Sequence, residues 1–236
     1  VHTARAIENF PITGHTVAQM PELIRALALV KKACAHANVQ FGAITASQCD
    51  AISQACDDLI AGKLHAEFVV DVIQGGAGTS TNMNANEVIA NLALEHLGLA
   101  KGRYDVINPN DHVNASQSTN DVYPTALKLA TWFGAQKLLT ALAGLRGAFE
   151  AKAREFDRVL KIGRTQLQDA VPMTLGQEFA SFVSMIADGD KRLRDSLSLM
   201  TEVNMGGTGI GPGSNGPGGY VDVAIPRLAR PTGAPP

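Results

Sequence analysis

At 236 residues the chain can hold one or two domains, and 45% hydrophobic against 18% charged residues excludes a disordered polymer. A formal net charge of -2 with no Lys/Arg-rich run gives nucleic acid or an acidic membrane surface nothing to bind, and no apolar run approaches the roughly 20 residues that span a bilayer. Cys34, Cys49 and Cys56 show no C-x-x-C spacing and cannot all pair, which with no signal peptide at the start predicts a reduced, cytoplasmic protein whose cysteines are packing residues.

Apolar residues repeat at three-and-four spacing through most of the chain, so the expected fold class is mainly α. A helix is predicted from Pro21, whose fixed φ suits a first turn, through Leu23, Leu27, Val30 and Cys34. A second runs from a Ser47 cap through Ile52, Cys56 and Leu59 towards Gly62. A third follows a Thr/Asn cluster, carries Val88, Leu92 and Leu97, and stops at Gly98. A much longer helix keeps Val122, Ala126, Leu129 and Phe133, then Leu138, Leu142, Leu145, Phe149 and Phe156, on nearly one face. A second long helix opens on the T-x-x-Q capping box of Thr174 and Gln177 and carries Leu175, Phe179, Phe182, Ile186, Leu193, Leu197 and Met200. Such stripes need each other and further partners, other subunits included. From Met205 to Gly219 eight of fifteen positions are Gly, which predicts a loop; a short helix is predicted over 220–230, before Pro231-Thr232-Gly233-Ala234-Pro235-Pro236.

Three stretches carry chemistry. Ser116-Gln117-Ser118-Thr119-Asn120-Asp121 sets uncharged hydrogen-bonding side chains just before the longest helix, where unpaired N–H groups and the positive end of the dipole favour an anion. Gly75-Gly76-Ala77-Gly78-Thr79-Ser80-Thr81-Asn82 more often caps a helix than binds a ligand, but its continuation Met83-Asn84-Ala85-Asn86 points to a held loop shape or a ligand, because Asn is a poor helix former. No Gly-Lys-Ser/Thr follows, so it is not a Walker loop. Gly163-Arg164-Thr165-Gln166-Leu167-Gln168-Asp169 is the third, with Arg164 either a carboxylate partner or a surface ion pair. His112 alone reads as a structural donor; Asn120 or Asp121 can cap the long helix; no His/Cys/carboxylate spacing suggests a metal, and no G-x-S-x-G suggests a serine hydrolase.

Together these blocks, with His2-Thr3-Ala4-Arg5-Ala6-Ile7-Glu8-Asn9-Phe10 and the His112-Val113-Asn114 run, resemble the aspartase/fumarase superfamily over nearly the whole chain. Ser118-Thr119-Asn120 and Gly78-Thr79-Ser80 look like its aspartate ammonia-lyase branch, where class II fumarases usually carry Ser-Ser-Asn and Gly-Thr-Gln. The resemblance implies a helical N-terminal domain over 1–107 and the first long helices of a central bundle over 108–236. It implies reversible anti elimination of ammonia from L-aspartate to fumarate through an aci-carboxylate intermediate, with no cofactor and no metal. Substrate contacts carried over by motif are Thr79, Ser118, Thr119, Asn120 and Thr165, with Gln166, which replaces a His of fumarases and some aspartases, and Arg5 in a second tier. The family's base is a Ser on a mobile Gly-Ser-Ser-x-Met-Pro-x-Lys loop that this sequence does not contain, and its members are tetramers whose sites draw on three subunits. The chain therefore reads as an incomplete N-terminal half of a homotetrameric enzyme, inactive alone. Class II fumarate hydratase and a noncatalytic derivative of the lyase fold are the alternatives. Gly207, Gly209 and Pro212 stand where the family usually has Ala, Ala and Thr, so the Gly-rich loop is expected to depart from the family's shape.

Overall fold

The computed structural model describes residues 1–74, 76–209 and 211–232. Gly75, which opens the Gly/Ser/Thr run, Ile210 of the Gly-rich tract and the terminal 233–236 lie outside the described residues. The architecture is mainly α, as expected: α1 (His2–Asn9), α2 (Pro21–Gln40), α3 (Ala46–Ile60), α4 (Thr79–His96), α5 (Thr119–Glu155), a hairpin of β1 (Leu160–Thr165) and β2 (Gln168–Thr174), α6 (Leu175–Leu197) and α7 (Tyr220–Thr232). The chain packs as two units, Val1–Thr131 with Met200–Pro236, and Trp132–Leu199, and the division between them falls inside α5.

In the first unit α2 is the centre. Ile24, Ala26, Leu27, Ala28 and Val30 are fully buried, and so is Lys31 among them. Small Ala residues around the helix let α3 and α7 close on it, with Tyr220, Ala224 and Leu228 as the buried face of α7. α3 begins two residues earlier than expected: Thr45, not Ser47, is the cap, because Gln48 completes a reciprocal box with it, worth about 1 kcal/mol. α4 stops as predicted, with Gly98 at φ 71 and Leu99 N–H returning to Leu94 O at 2.9 Å. Its start overturns the sequence reading. Asn82, Asn84 and Asn86 are not loop residues but lie buried inside α4, where tertiary hydrogen bonds override their low helix propensity.

The second unit contains the later part of α5, the hairpin and α6. The capping box of Thr174 and Gln177 opens α6 as predicted. Phe149, Phe156, Phe179 and Phe182 form an aromatic cluster with centroids 5.5–6.0 Å apart. Gly176 is required here, since a Cβ would meet Ala153 O at 2.5 Å. Leu138, Leu145 and Met185 of the long helices are exposed. The helix predicted to reach Met200 ends at Leu197 and continues as a 3-10 turn, Ser198–Thr201. The hairpin was not predicted; its turn residues Gln166 and Leu167 sit at φ 48 and 62 without a Gly to announce it.

Candidate active site

The site is built where the first turns of α4 and α5 meet. Gly78 enters α4 at φ 89, with its Cα so close to Tyr123 of α5 that an added Cβ would lie 2.3 Å from the ring. Asn82 of α4 donates through Nδ2 to Thr119 Oγ1 of α5 at 3.3 Å. Gly78 and Asn120 line the same cleft of about 520 Å³, with Gln74, Tyr123 and Pro124. Thr79, Ser118, Thr119 and Asn120 thus come from segments far apart in sequence to one neighbourhood.

Each of these side chains has a defined role in the fold. Thr79 is exposed and its hydroxyl donates to Gly76 O at 2.6 Å. Ser118 Oγ accepts from Asn120 N–H at 3.2 Å, so Ser118 takes the cap position expected of Asn120 or Asp121. Asp121 closes the reverse arm, accepting Ser118 N–H at 2.8 Å, and its other oxygen accepts Gly206 N–H at 3.2 Å from the Gly-rich loop. Burial raises the Asp121 pKa, against the opposing pull of those N–H groups and Lys31. Asn120 Nδ2 donates to Gly209 O at 3.0 Å, and Thr208 Oγ1 accepts Asn215 N–H at 3.0 Å. The Gly-rich loop is therefore fastened to the start of α5 through its own backbone.

Behind the site lies a polar network that the sequence reading did not single out. Lys31 Nζ donates to Asn114 Oδ1 at 2.8 Å and Gln117 Oε1 at 2.9 Å. Asn114 Oδ1 also accepts Asn82 Nδ2 at 3.1 Å and Asn86 Nδ2 at 3.2 Å. One amide oxygen therefore joins α2, α4 and the loop before α5, and through Asn82 reaches Thr119. Burial lowers the Lys31 pKa to about 8, with Cys34, Asp121 and Cys56 pulling the other way. The signal available in sequence was periodicity: Lys31 falls four residues after Leu27 and three before Cys34, on the buried stripe.

His112 departs from expectation. Its Nδ1 accepts Asn108 N–H at 2.8 Å inside a π-type turn, Pro109–Val113, so the contact the structure gives it is made as an acceptor. Arg164 takes the ion-pair reading, at 3.3 Å from Asp169 across the hairpin. Thr165 and Gln166 are exposed at the hairpin end in the second unit. Arg5 is exposed on α1, whose first turn is held on α4 by Glu87. Among the described residues no group of three or more His, Cys, Asp or Glu is placed to hold a metal, and no helix is long and apolar enough to cross a membrane.

A lyase family model matches residues 1–235. Aspartate ammonia-lyase of Pseudomonas aeruginosa is 54% identical over 236 residues, all of this chain and 50% of the relative, and that of Escherichia coli K12 is 51% identical over all of this chain and 49% of the relative. The chain thus spans about half the length of the curated relatives it matches. Among solved structures, the cobalt-bound fumarate lyase:delta crystallin of Brucella melitensis superposes with a TM-score of 0.96 at 54% identity, over 99% of this chain and 51% of that one. Class II fumarase of Schistosoma mansoni gives a TM-score of 0.91 at 37% identity, over 99% of this chain and 49% of that one. A family match over nearly every residue, with the Ser118-Thr119-Asn120 turn seated against the start of α4, places this chain in the lyase family that unites aspartate ammonia-lyases with class II fumarases.

Proposed function

We propose that this chain supplies the donor half of an aspartate ammonia-lyase site, which removes ammonia from L-aspartate by reversible anti elimination to give fumarate. The observation that carries the reading is the meeting of two helix starts bearing uncharged hydroxyl and amide groups, joined by Asn82 and Thr119. The reaction removes a proton from carbon beside a carboxylate, so negative charge grows on that carboxylate as an aci-carboxylate. Preorganised donors lower that barrier, and loss of one typically costs ~3 kcal/mol. Thr79, Ser118 and Thr119 serve this carboxylate, Asn120 the amino group and Thr165 the other carboxylate.

The hydrogen bonds made by Thr119 and Ser118 fit these roles. Thr119 and Ser118 are engaged as acceptors, by Asn82 Nδ2 and Asn120 N–H, which leaves each hydroxyl its proton to give to substrate. Thr79 donates to Gly76 O, so its hydroxyl must turn from that carbonyl to serve. The base is a Ser supplied from outside this sequence, as the family resemblance implies, and the working enzyme is a cytoplasmic homotetramer whose subunits cover the exposed Leu138, Leu145 and Met185.

The test joins this chain to the C-terminal half of the P. aeruginosa relative, with that relative's own two halves as the positive control. Ammonia and fumarate are measured from aspartate, and fumarate from malate. Ammonia release from aspartate is expected, with Thr119→Ala lowering kcat by about 100-fold. Malate dehydration without ammonia release would assign a fumarase. Neither reaction, with an active control, would assign a noncatalytic relative of the fold.

A further inference from the structure

α2, α3 and α7 enclose a second cleft, of about 310 Å³, separate from the residues of the proposed lyase site. Its floor is apolar, made by Leu29, Ala33 and Ile60, of which Leu29 and Ala33 are buried. Its rim is cationic. Arg25 and Lys32 stand two turns apart on α2, and Arg227 and Arg230 one turn apart on α7. One carboxylate, Asp57 of α3, faces them and is held by Lys32 at 2.6 Å, while Arg25 lies 3.9 Å from Glu22. Among the described residues, no hydrogen bond or ion pair occupies the guanidinium of Arg227 or Arg230.

Two guanidinium groups without carboxylate partners among the described residues, above an apolar floor in a chain of net charge -2, are a local feature that the overall charge does not require. Side chains three apart on a helix are neighbours, about 5–6 Å between Cβ atoms, so both forks can reach one compact anion. A phosphoryl group has the charge and the several terminal oxygens to accept from two forks at once. The volume is at the small end of ligand sites, which run from roughly 300 to 1,000 Å³, and the floor can take an apolar remainder. We propose that this cleft binds the phosphoryl group of a small organophosphate, with Arg227 and Arg230 on the phosphate oxygens and the organic part against Leu29, Ala33 and Ile60.

His36, on the same wall, is a built-in reporter. Its ring nitrogens face α3, 3.5 Å from Cys49 Sγ and 3.4 Å from Ser53 Oγ. Its pKa is lowered by burial, then by Arg227 and Lys32, with Asp50 and Asp57 opposing. An anion seated on Arg227 offsets that positive field, so binding raises the His36 pKa.

The experiment is a nuclear magnetic resonance titration of this chain at low ionic strength with phenyl phosphate, inorganic phosphate and succinate, and it needs no enzymatic activity. Saturable shifts in α7 and a raised His36 pKa are expected with phenyl phosphate, at lower concentration than with inorganic phosphate. The double variant Arg227→Gln, Arg230→Gln should weaken binding by about ten-fold or more with an unchanged unfolding midpoint. Arg227→Lys, Arg230→Lys should fall between, keeping charge and losing the fork, and serves if the Gln variant does not fold. Inorganic phosphate binding as well as phenyl phosphate would overturn the organic part of the ligand. Succinate binding equally well would overturn the phosphoryl assignment, and no saturation, or no change of the His36 pKa, would overturn the site.

Discussion

Lys31→Met tests whether the buried ammonium behind the candidate site is held charged against its surroundings. Lys31 is fully buried, and burial lowers its pKa from 10.5 to about 8. A tenfold change in proton affinity is about 1.4 kcal/mol, so keeping Lys31 protonated at pH 7 costs the fold roughly 3 kcal/mol. Two hydrogen bonds offset this, to Asn114 Oδ1 and Gln117 Oε1, at roughly 1.5–3 kcal/mol for each bond from a charged donor. The Met variant loses the cost and the bonds together. Asn114 keeps Asn82 and Asn86 as donors, whereas Gln117 Oε1 is left buried, and the net destabilisation at pH 7 is about 1–3 kcal/mol. The sign with pH follows from the two pKa values. The folded chain releases the Lys31 proton near pH 8 and the unfolded chain near 10.5, so between them the unfolded state binds more protons and wild-type stability rises with pH. The variant has no such group, so its deficit widens by about 3 kcal/mol between pH 7 and 10.5. Urea unfolding followed by circular dichroism at both pH values measures the gap. A gap that is constant, or that narrows as pH rises, refutes the reasoning.

Gly176→Ala should destabilise the second unit by about 1–3 kcal/mol or more, because the new Cβ meets the backbone of Ala153 and Asp157, at 2.5 and 2.7 Å; the fluorescence of Trp132, the single Trp, reads it. The Glu87 pKa is lowered: burial acts upward and is outweighed by the Thr3 hydroxyl and the His2 and Thr3 N–H groups. Docking of α1 is therefore fully supported above pH 4.5 and lost as pH falls through the lowered pKa of Glu87, so amide protection in α1 should show an acid step that Glu87→Gln abolishes. Gly78→Ala combines a φ of 89 with a clash against Tyr123, and should lower kcat/KM of the reassembled lyase by about ten-fold or more by displacing Thr79.

What the sequence could and could not disclose follows from how local each signal is. The long helices were legible because their apolar stripes repeat over many turns, and the Thr174 box because both of its members lie within one turn. Ser47 and Thr45 are both cap-type residues, but only Thr45 has a Gln three residues on, and that reciprocal pair fixes the helix start. The run Asn82, Asn84, Asn86 misled because propensity describes an isolated helix, whereas here Asn114 and Glu67 O receive the amides that would otherwise compete with the backbone. The hairpin had neither alternation nor a Gly in its turn to announce it. The substrate motifs were legible as motifs, but the reason they hold shape was not: a Lys on a helix gives no sign of burial beyond its phase, which puts Lys31 on the buried stripe of α2. The basic cleft marks the limit of a linear reading. Arg25, Lys32, Arg227 and Arg230 make no charge run, and their sum appears only when α7 folds back on α2 across nearly the whole chain. Net charge and charge runs therefore say which polyelectrolytes a chain avoids, while a site for one small anion depends on helix packing that brings distant cations to a shared wall.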